Sequence, residues 1–232
     1  KRQAISVLKE KTCVTILPEF LSPEYVSVVF DGTVHWDSMR TLLSREQIIS
    51  LINDAISNKF PKRFNNNFNI SEISNVINSV DPQSISTSSG DFHLEVRSMV
   101  DLGPDLGVKK IDFKNELKPH QLTTSNFKVG PKWSGSHNVP DGQPIKLRTV
   151  GAVQRDGSQS IQAYYQNQNN VTSVLPNAGK FVPVYGMVYI NPDVAAEPFE
   201  ITCIPVNSIF DAKENIVSEL ILNLQIDRIN IQ

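Results

Sequence analysis

Three observations predict an α+β fold. Apolar residues recur at three- and four-residue spacing in two stretches before residue 81, the pattern changes to alternation with period 2 after Gly90, and short apolar runs separated by turn residues follow to the C-terminus. The expected architecture is a helix-bearing N-terminal part, residues 1-100, packed with a β-rich C-terminal part, residues 101-232. A chain of 232 residues with 40% hydrophobic side chains is long enough for that division.

The elements follow in order. Cys13 to Leu17 is a β-branched run ended by Pro18, and Tyr25 to Phe30 is a second strand signal. Asp31-Gly32 supplies a turn or bulge before a short strand, Thr33 to Trp36. Ser44 stands three residues before Gln47, the spacing at which each side chain satisfies an orphan N–H of a helix's first turn. Ile48, Ile49, Leu51, Ile52, Ala55 and Ile56 then form an apolar face, and Pro61 stops the helix. Phe60, Phe64 and Phe68 pin the following loop to the core. A second helix starts around Asn69 to Ser71, carries Ile73, Val76, Ile77 and Val80, and closes at Asp81-Pro82, because a residue before proline is pushed out of the α region.

Phe92, Leu94, Val96 and Val100 mark a half-buried strand. The glycine- and acid-rich stretch from Asp101 to Gly107 reads as a linker. Arg155-Asp156-Gly157-Ser158 lies between Ile145 to Val153 and Ser160 to Tyr165, a hairpin signal. Phe181 to Ile190 reads as one strand whose Pro183 argues for a sheet edge. Phe199 to Val206 is another strand. The segment around Leu220, Leu222, Leu224 and Ile226 alternates as a strand, while Ile216, Val217, Leu220, Ile221 and Leu224 also trace a helical face.

Composition narrows the function. A formal net charge of -2 leaves no basic footprint for a phosphate backbone, so no nucleic acid is expected as a partner. No run approaches the roughly 18 apolar residues of a membrane-spanning helix, so no membrane is expected either. Cys13 and Cys203 are too few for a disulfide framework. No catalytic constellation, cofactor loop or metal set emerges. Asp31, His35 and Asp37 come nearest to a metal cluster, and a surface hairpin explains them better. The chain is therefore expected to be no enzyme and to use no cofactor. Trp133, Tyr164, Tyr165 and Tyr185 are the candidate interface residues, since Tyr and Trp are enriched where partners meet. Trp133, in the loop-like Lys132 to His137, is the first choice for an exposed anchor.

The succession Ser22-Pro23-Glu24-Tyr25-Val26-Ser27-Val28-Val29-Phe30, Val34-His35-Trp36, the helix opening at Ser44-Arg45-Glu46-Gln47, Phe64 to Phe68, and Ile70 to Ile85 resembles the baseplate wedge subunits of T-even-like contractile-tailed phages, within the wider baseplate-J-like family. The resemblance covers about residues 20 to 100. It implies a structural protein of the virion, assembled in the host cytoplasm, that forms homodimers, joins other baseplate wedge proteins, and helps close a ring around the tail hub that rearranges on contraction. That family's subunit is longer, and a chain opening on Lys1 is expected to be its C-terminal fragment. Tyr25, Trp36, Phe68, Ser71, Ile73, Ile77 and Asp81 are the matching positions, expected to determine the fold. The alternative is a carbohydrate- or receptor-binding tail module that uses Trp133 and the tyrosines.

Overall fold

The computed structural model describes residues 23–102, 107–130, 139, 142–166, 172–192, 194–213 and 215–229. Of these, 49% are strand and 19% helical, with two α-helices, so the predicted α+β class is replaced by a mostly β fold. The two helices carry the clearest local signals in the sequence. The pairings that make the sheet are long-range and leave weaker ones.

In chain order the elements are β1 (Glu24–Asp37), α1 (Arg45–Lys59), β2 (Arg63–Phe64), β3 (Asn67–Asn69), α2 (Ile70–Val80), β4 (Ile85–Ser86), β5 (Phe92–Val100), β6 (Lys109–Asp112), β7 (Thr123–Thr124) and β8 (Phe127–Lys128). They continue with β9 (Pro144–Val150), β10 (Gln159–Gln166), β11 (Thr172–Val182), β12 (Met187–Ile190), β13 (Phe199–Cys203), β14 (Ile209–Asp211) and β15 (Ile216–Ile229). One 13-stranded sheet runs β2-β15-β1-β5-β13-β7-β9-β10-β11-β12-β6, with β4 added beside β1 and β8 beside β9. It narrows at the two-residue β7, whose ladder with β9 is the single pair Thr123↔Arg148, beside which Leu147 N–H donates to Thr124 Oγ1 at 2.9 Å. β3 and β14 form a separate small ladder.

The first and last described strands pair in parallel from Glu24↔Ile216 to Asp37↔Ile229. This ladder settles the ambiguity of the C-terminal segment in favour of a strand, because every second residue then joins one face. Leu220, Val28 and Val96 share a cross-strand row, as do Leu222, Phe30 and Leu94. Both rows belong to the hydrophobic core that Ile48, Ile52 and Ile56 of α1 and Ile73 and Ile77 of α2 enter from the helical layer.

The expected break at Asp31-Gly32 is absent: β1 runs through both residues. Gly32 pairs with Phe92 on β5, and a Cβ at Gly32 would run into the Asp91 carbonyl and the Phe92 ring. Phe92 stacks on Phe30 with centroids 4.5 Å apart and covers the place where Gly32 has no side chain. The glycine here serves close approach within a strand, the use that an aromatic cross-strand neighbour can stabilise.

α1 begins with the expected reciprocal cap: Gln47 N–H donates to Ser44 Oγ at 3.3 Å and Ser44 N–H to Gln47 Oε1 at 2.7 Å. Ile48, Ile52 and Ile56 are buried, whereas Ile49 and Leu51, expected on the same face, are 37% and 41% exposed. The buried stripe is narrower than the apolar pattern. α2 is capped by Asn69, whose side chain accepts from Ser71 N–H at 2.9 Å. Among the three loop rings, Phe60 and Phe68 are buried and 5.7 Å apart, while Phe64 is 49% exposed.

β9 and β10 form the expected hairpin. Phe181 to Ile190 is not one strand, because Pro183 opens a single 3₁₀ turn between β11 and β12, and Gly186 takes the left-handed conformation (φ 65°) beyond it. Nor does the proline mark an edge, since β11 lies between β10 and β12. The Cys13 to Leu17 signal falls outside the described residues. Cys203 is buried, and burial raises its thiol pKa above the ordinary range.

Candidate functional site

Among the described residues, the sheet's arrangement leaves one long strand with an open flank. β15 is hydrogen-bonded to β1 along its whole length, but on its other side β2 covers only Val217 and Ser218. From Glu219 to Ile229 that side has no strand partner among the described residues. Unpaired N–H and C=O groups along such an edge accept another chain readily.

The side chains of this edge differ between the faces. Toward the helical layer, Leu222, Leu224 and Ile226 meet Ile49, Ile52 and Asn53 of α1 around a groove of about 100 Å³. Ile49 rims that groove and remains over a third exposed. On the opposite face, Ile221 is 43% exposed and Asn223 donates from Nδ2 to Asp31 Oδ2. The inner end is fastened electrostatically: Lys62 Nζ lies 2.8 Å from Glu219 Oε2, and Ser27 Oγ donates to Glu219 Oε1 at 3.3 Å. The Lys62 contact, more than the serine, holds the Glu219 carboxyl below its usual pKa against the opposing effect of burial. At the outer end Arg228 Nε donates to Ser38 Oγ at 2.7 Å. The edge is thus an ordered strand fixed at both ends, with aliphatic residues on one face.

The residues singled out in the sequence do not converge on this edge. Trp133 lies outside the described residues. Tyr164, on β10, has the Arg148 guanidinium 4.9 Å above its ring. Tyr165 packs partly against the core. Tyr185 is 63% exposed in the turn after β11, far along the strand order from β15. Of the positions that carry the resemblance in sequence, Trp36, Phe68, Ile73 and Ile77 are buried, whereas Tyr25 is 61% exposed with Lys62 Nζ 5.6 Å from its ring centroid. Asp31, His35 and Asp37 turn to separate partners. Asp31 bonds Asn223, His35 Nε2 lies 3.7 Å from Asp91, and the buried Asp37 pairs with Arg40 at 3.1 Å. No group of three metal-ligating side chains occurs among the described residues.

The β15 edge could not be picked out in advance from residue types. Its alternation was visible, but an edge strand and an inner strand with one solvated face alternate alike. The exposed aliphatics of α1 were the available signal, because the apolar positions outnumber those needed for one buried stripe.

No family model matches the chain, and no curated protein matches it.

Proposed function

We propose that this chain is a structural subunit of the baseplate wedge of a contractile phage tail, working through protein contacts rather than catalysis. In this account it pairs with a second copy of itself along β15, binds other wedge proteins through its remaining surfaces, and helps build a virion ring that rearranges around the tail hub on contraction. The phage assignment draws on the resemblance of residues 20 to 100. The observation that carries the assembly is the open flank of β15 beside the α1 groove.

A second copy suits that flank because the strand is compatible with itself. With Leu224 on a two-fold axis and the strands antiparallel, Leu222 faces Ile226 of the other copy and Asn223 faces Gln225, so apolar meets apolar and amide meets amide. Ile221 faces Asp227 and Leu220 faces Arg228, and no like charges stand opposite one another. The two α1 grooves then adjoin, covering Ile49 of each copy. A contact of this kind should bury at least about 1,000 Å² in all.

Sedimentation equilibrium over a range of concentrations tests this directly. A dimer is expected, with charge substitutions at the exposed Ile221 changing its affinity in opposite directions. Ile221→Glu places a carboxylate opposite Asp227 of the other copy, twice in the dimer, and should weaken association by about tenfold, whereas Ile221→Lys should strengthen it. A strict monomer at high concentration, or equal effects of both substitutions, counts against β15 pairing.

A further inference from the structure

A second surface lies at the other end of the sheet. Asp156, Lys180, Val182, Tyr185, Met187 and Tyr189 line an open cleft of about 540 Å³, within the volume range of small-molecule sites. Two turns bracket it: the β9–β10 turn carrying Asp156 and the β11–β12 turn carrying Tyr185. Its floor is one face of the sheet, where Lys180, Tyr189 and Lys110 form one cross-strand row and Val182, Met187 and Asp112 the next. The intervening residues Phe181, Val188 and Ile111 are buried on the opposite face, so the floor is backed by core.

The arrangement of this floor is specific. Tyr189 OH donates to Met187 Sδ at 3.2 Å, so the tyrosine leans along its own strand over its same-face neighbour. The charges beside it are held in ion pairs. Asp156 Oδ2 accepts from Lys180 Nζ at 2.8 Å, and Asp156 Oδ1 accepts from the Ser158 hydroxyl at 2.6 Å and its N–H at 3.1 Å. Lys110 Nζ lies 3.1 Å from Asp112, which Lys114 also approaches at 3.6 Å. The Lys180 contact first, and the Ser158 bonds after it, keep Asp156 ionised well below the usual carboxylate range.

We infer that this cleft binds a saccharide, with an apolar C–H face of the sugar ring against Tyr189 and Tyr185 and its hydroxyls bonded to Asp156 and Lys180. A sugar ring has the two kinds of surface that the floor offers, one apolar and one rich in donors and acceptors. Asp156 is fixed by three bonds, and a carboxylate oxygen can accept more than one hydrogen bond, so it is a preorganised acceptor for hydroxyls. Asp156 and Lys180, the charged side chains of the lining, offset each other, which favours a neutral polyhydroxyl ligand over a strongly charged one. The openness of the cleft suits a chain lying across it. This inference does not rest on β15 pairing.

Saturation-transfer NMR with glucose, galactose, mannose, N-acetylglucosamine and maltose, each at about 10 mM to capture millimolar affinity, supplies the test. At least one sugar should receive transfer from the protein and lose most of it, about tenfold in affinity, with Tyr189→Ala and with the exposed Tyr185→Ala. Phe64→Ala, at an exposed ring on β2 at the opposite end of the strand order, should leave binding unchanged, and circular dichroism should show each variant folded. Transfer to none of the sugars, or transfer equal in all variants, overturns the inference. Loss of self-association instead of sugar binding in Tyr185→Ala also overturns it, by making the cleft a protein interface.

Discussion

Gly32→Ala is expected to destabilise the protein by about 3 kcal/mol, the upper end of what overpacking costs. The added Cβ would meet the Asp91 carbonyl and the Phe92 ring, and the carbonyl is backbone that cannot rotate away. β1 and β5 would have to separate where Phe30 and Phe92 stack, at the end of the antiparallel ladder that runs from Ser27↔Arg97 to Gly32↔Phe92. Relief there also disturbs the β1–β15 ladder, because Gly32 is opposite Leu224. In a domain of this size the loss corresponds to a fall in Tm of roughly 10 °C, measurable by calorimetry. A change within about 0.5 kcal/mol, the range of an ordinary surface substitution, would mean that the two strands are not in this close approach.

Phe68→Ala is expected to cost about 3–5 kcal/mol, while Phe64→Ala, four residues earlier, should cost under about 1 kcal/mol. Phe68 is fully buried, pairs with Phe210 across the β3–β14 ladder, and lies 5.7 Å from the buried Phe60. Removing its ring opens a cavity beneath α2, because Asn69 caps that helix immediately after Phe68. Phe64 sits half-exposed opposite Val217 at the end of the sheet, where truncation removes little buried area. Urea unfolding of both variants under one set of conditions gives the comparison, and similar losses in the two would contradict the burial that separates them.

The parts of the fold legible from sequence are those with local causes. The Ser44–Gln47 cap, the Asn69 cap, the alternation of Phe92 to Val100 and the Asp156-Gly157 hairpin each depend on residues within a few positions. The pairing of β1 with β15 joins residues 192 positions apart, as Ser27 and Glu219 show, and nothing local encodes its neighbour or its parallel sense. Gly32 shows tertiary structure overriding a local signal: Asp-Gly favours a turn, yet Phe92 packs where a side chain would be. Pro183 argues for an edge within one continuous strand, yet a 3₁₀ turn accommodates it between two inner strands and divides that strand in two. The overestimate of helix came from weighting two well-capped helices against strands as short as two residues.

The candidate surfaces follow the same division. Tyr185 was identifiable as a tyrosine in a proline-containing segment, and it is exposed. Asp156 read only as a turn residue, since its bond to Lys180 requires β10 and β11 to pair first. The open flank of β15 is a property of strand order, and strand order is what a single sequence conveys least.

The most direct test of assembly through β15 is disulfide trapping with Asn223→Cys and Gln225→Cys together, in a Cys13→Ser background that leaves only the buried Cys203 besides the introduced thiols. In the proposed register these two positions face each other across the two-fold axis, within the Cα separation of about 4.4–6.8 Å that a disulfide requires. Mild oxidation of dilute protein should give a covalent dimer with the double substitution and little or none with Asn223→Cys alone, whose copies are offset along the strands. Failure of the double variant to cross-link, or equal cross-linking by the single variant, would contradict the central claim that this chain pairs with itself along β15.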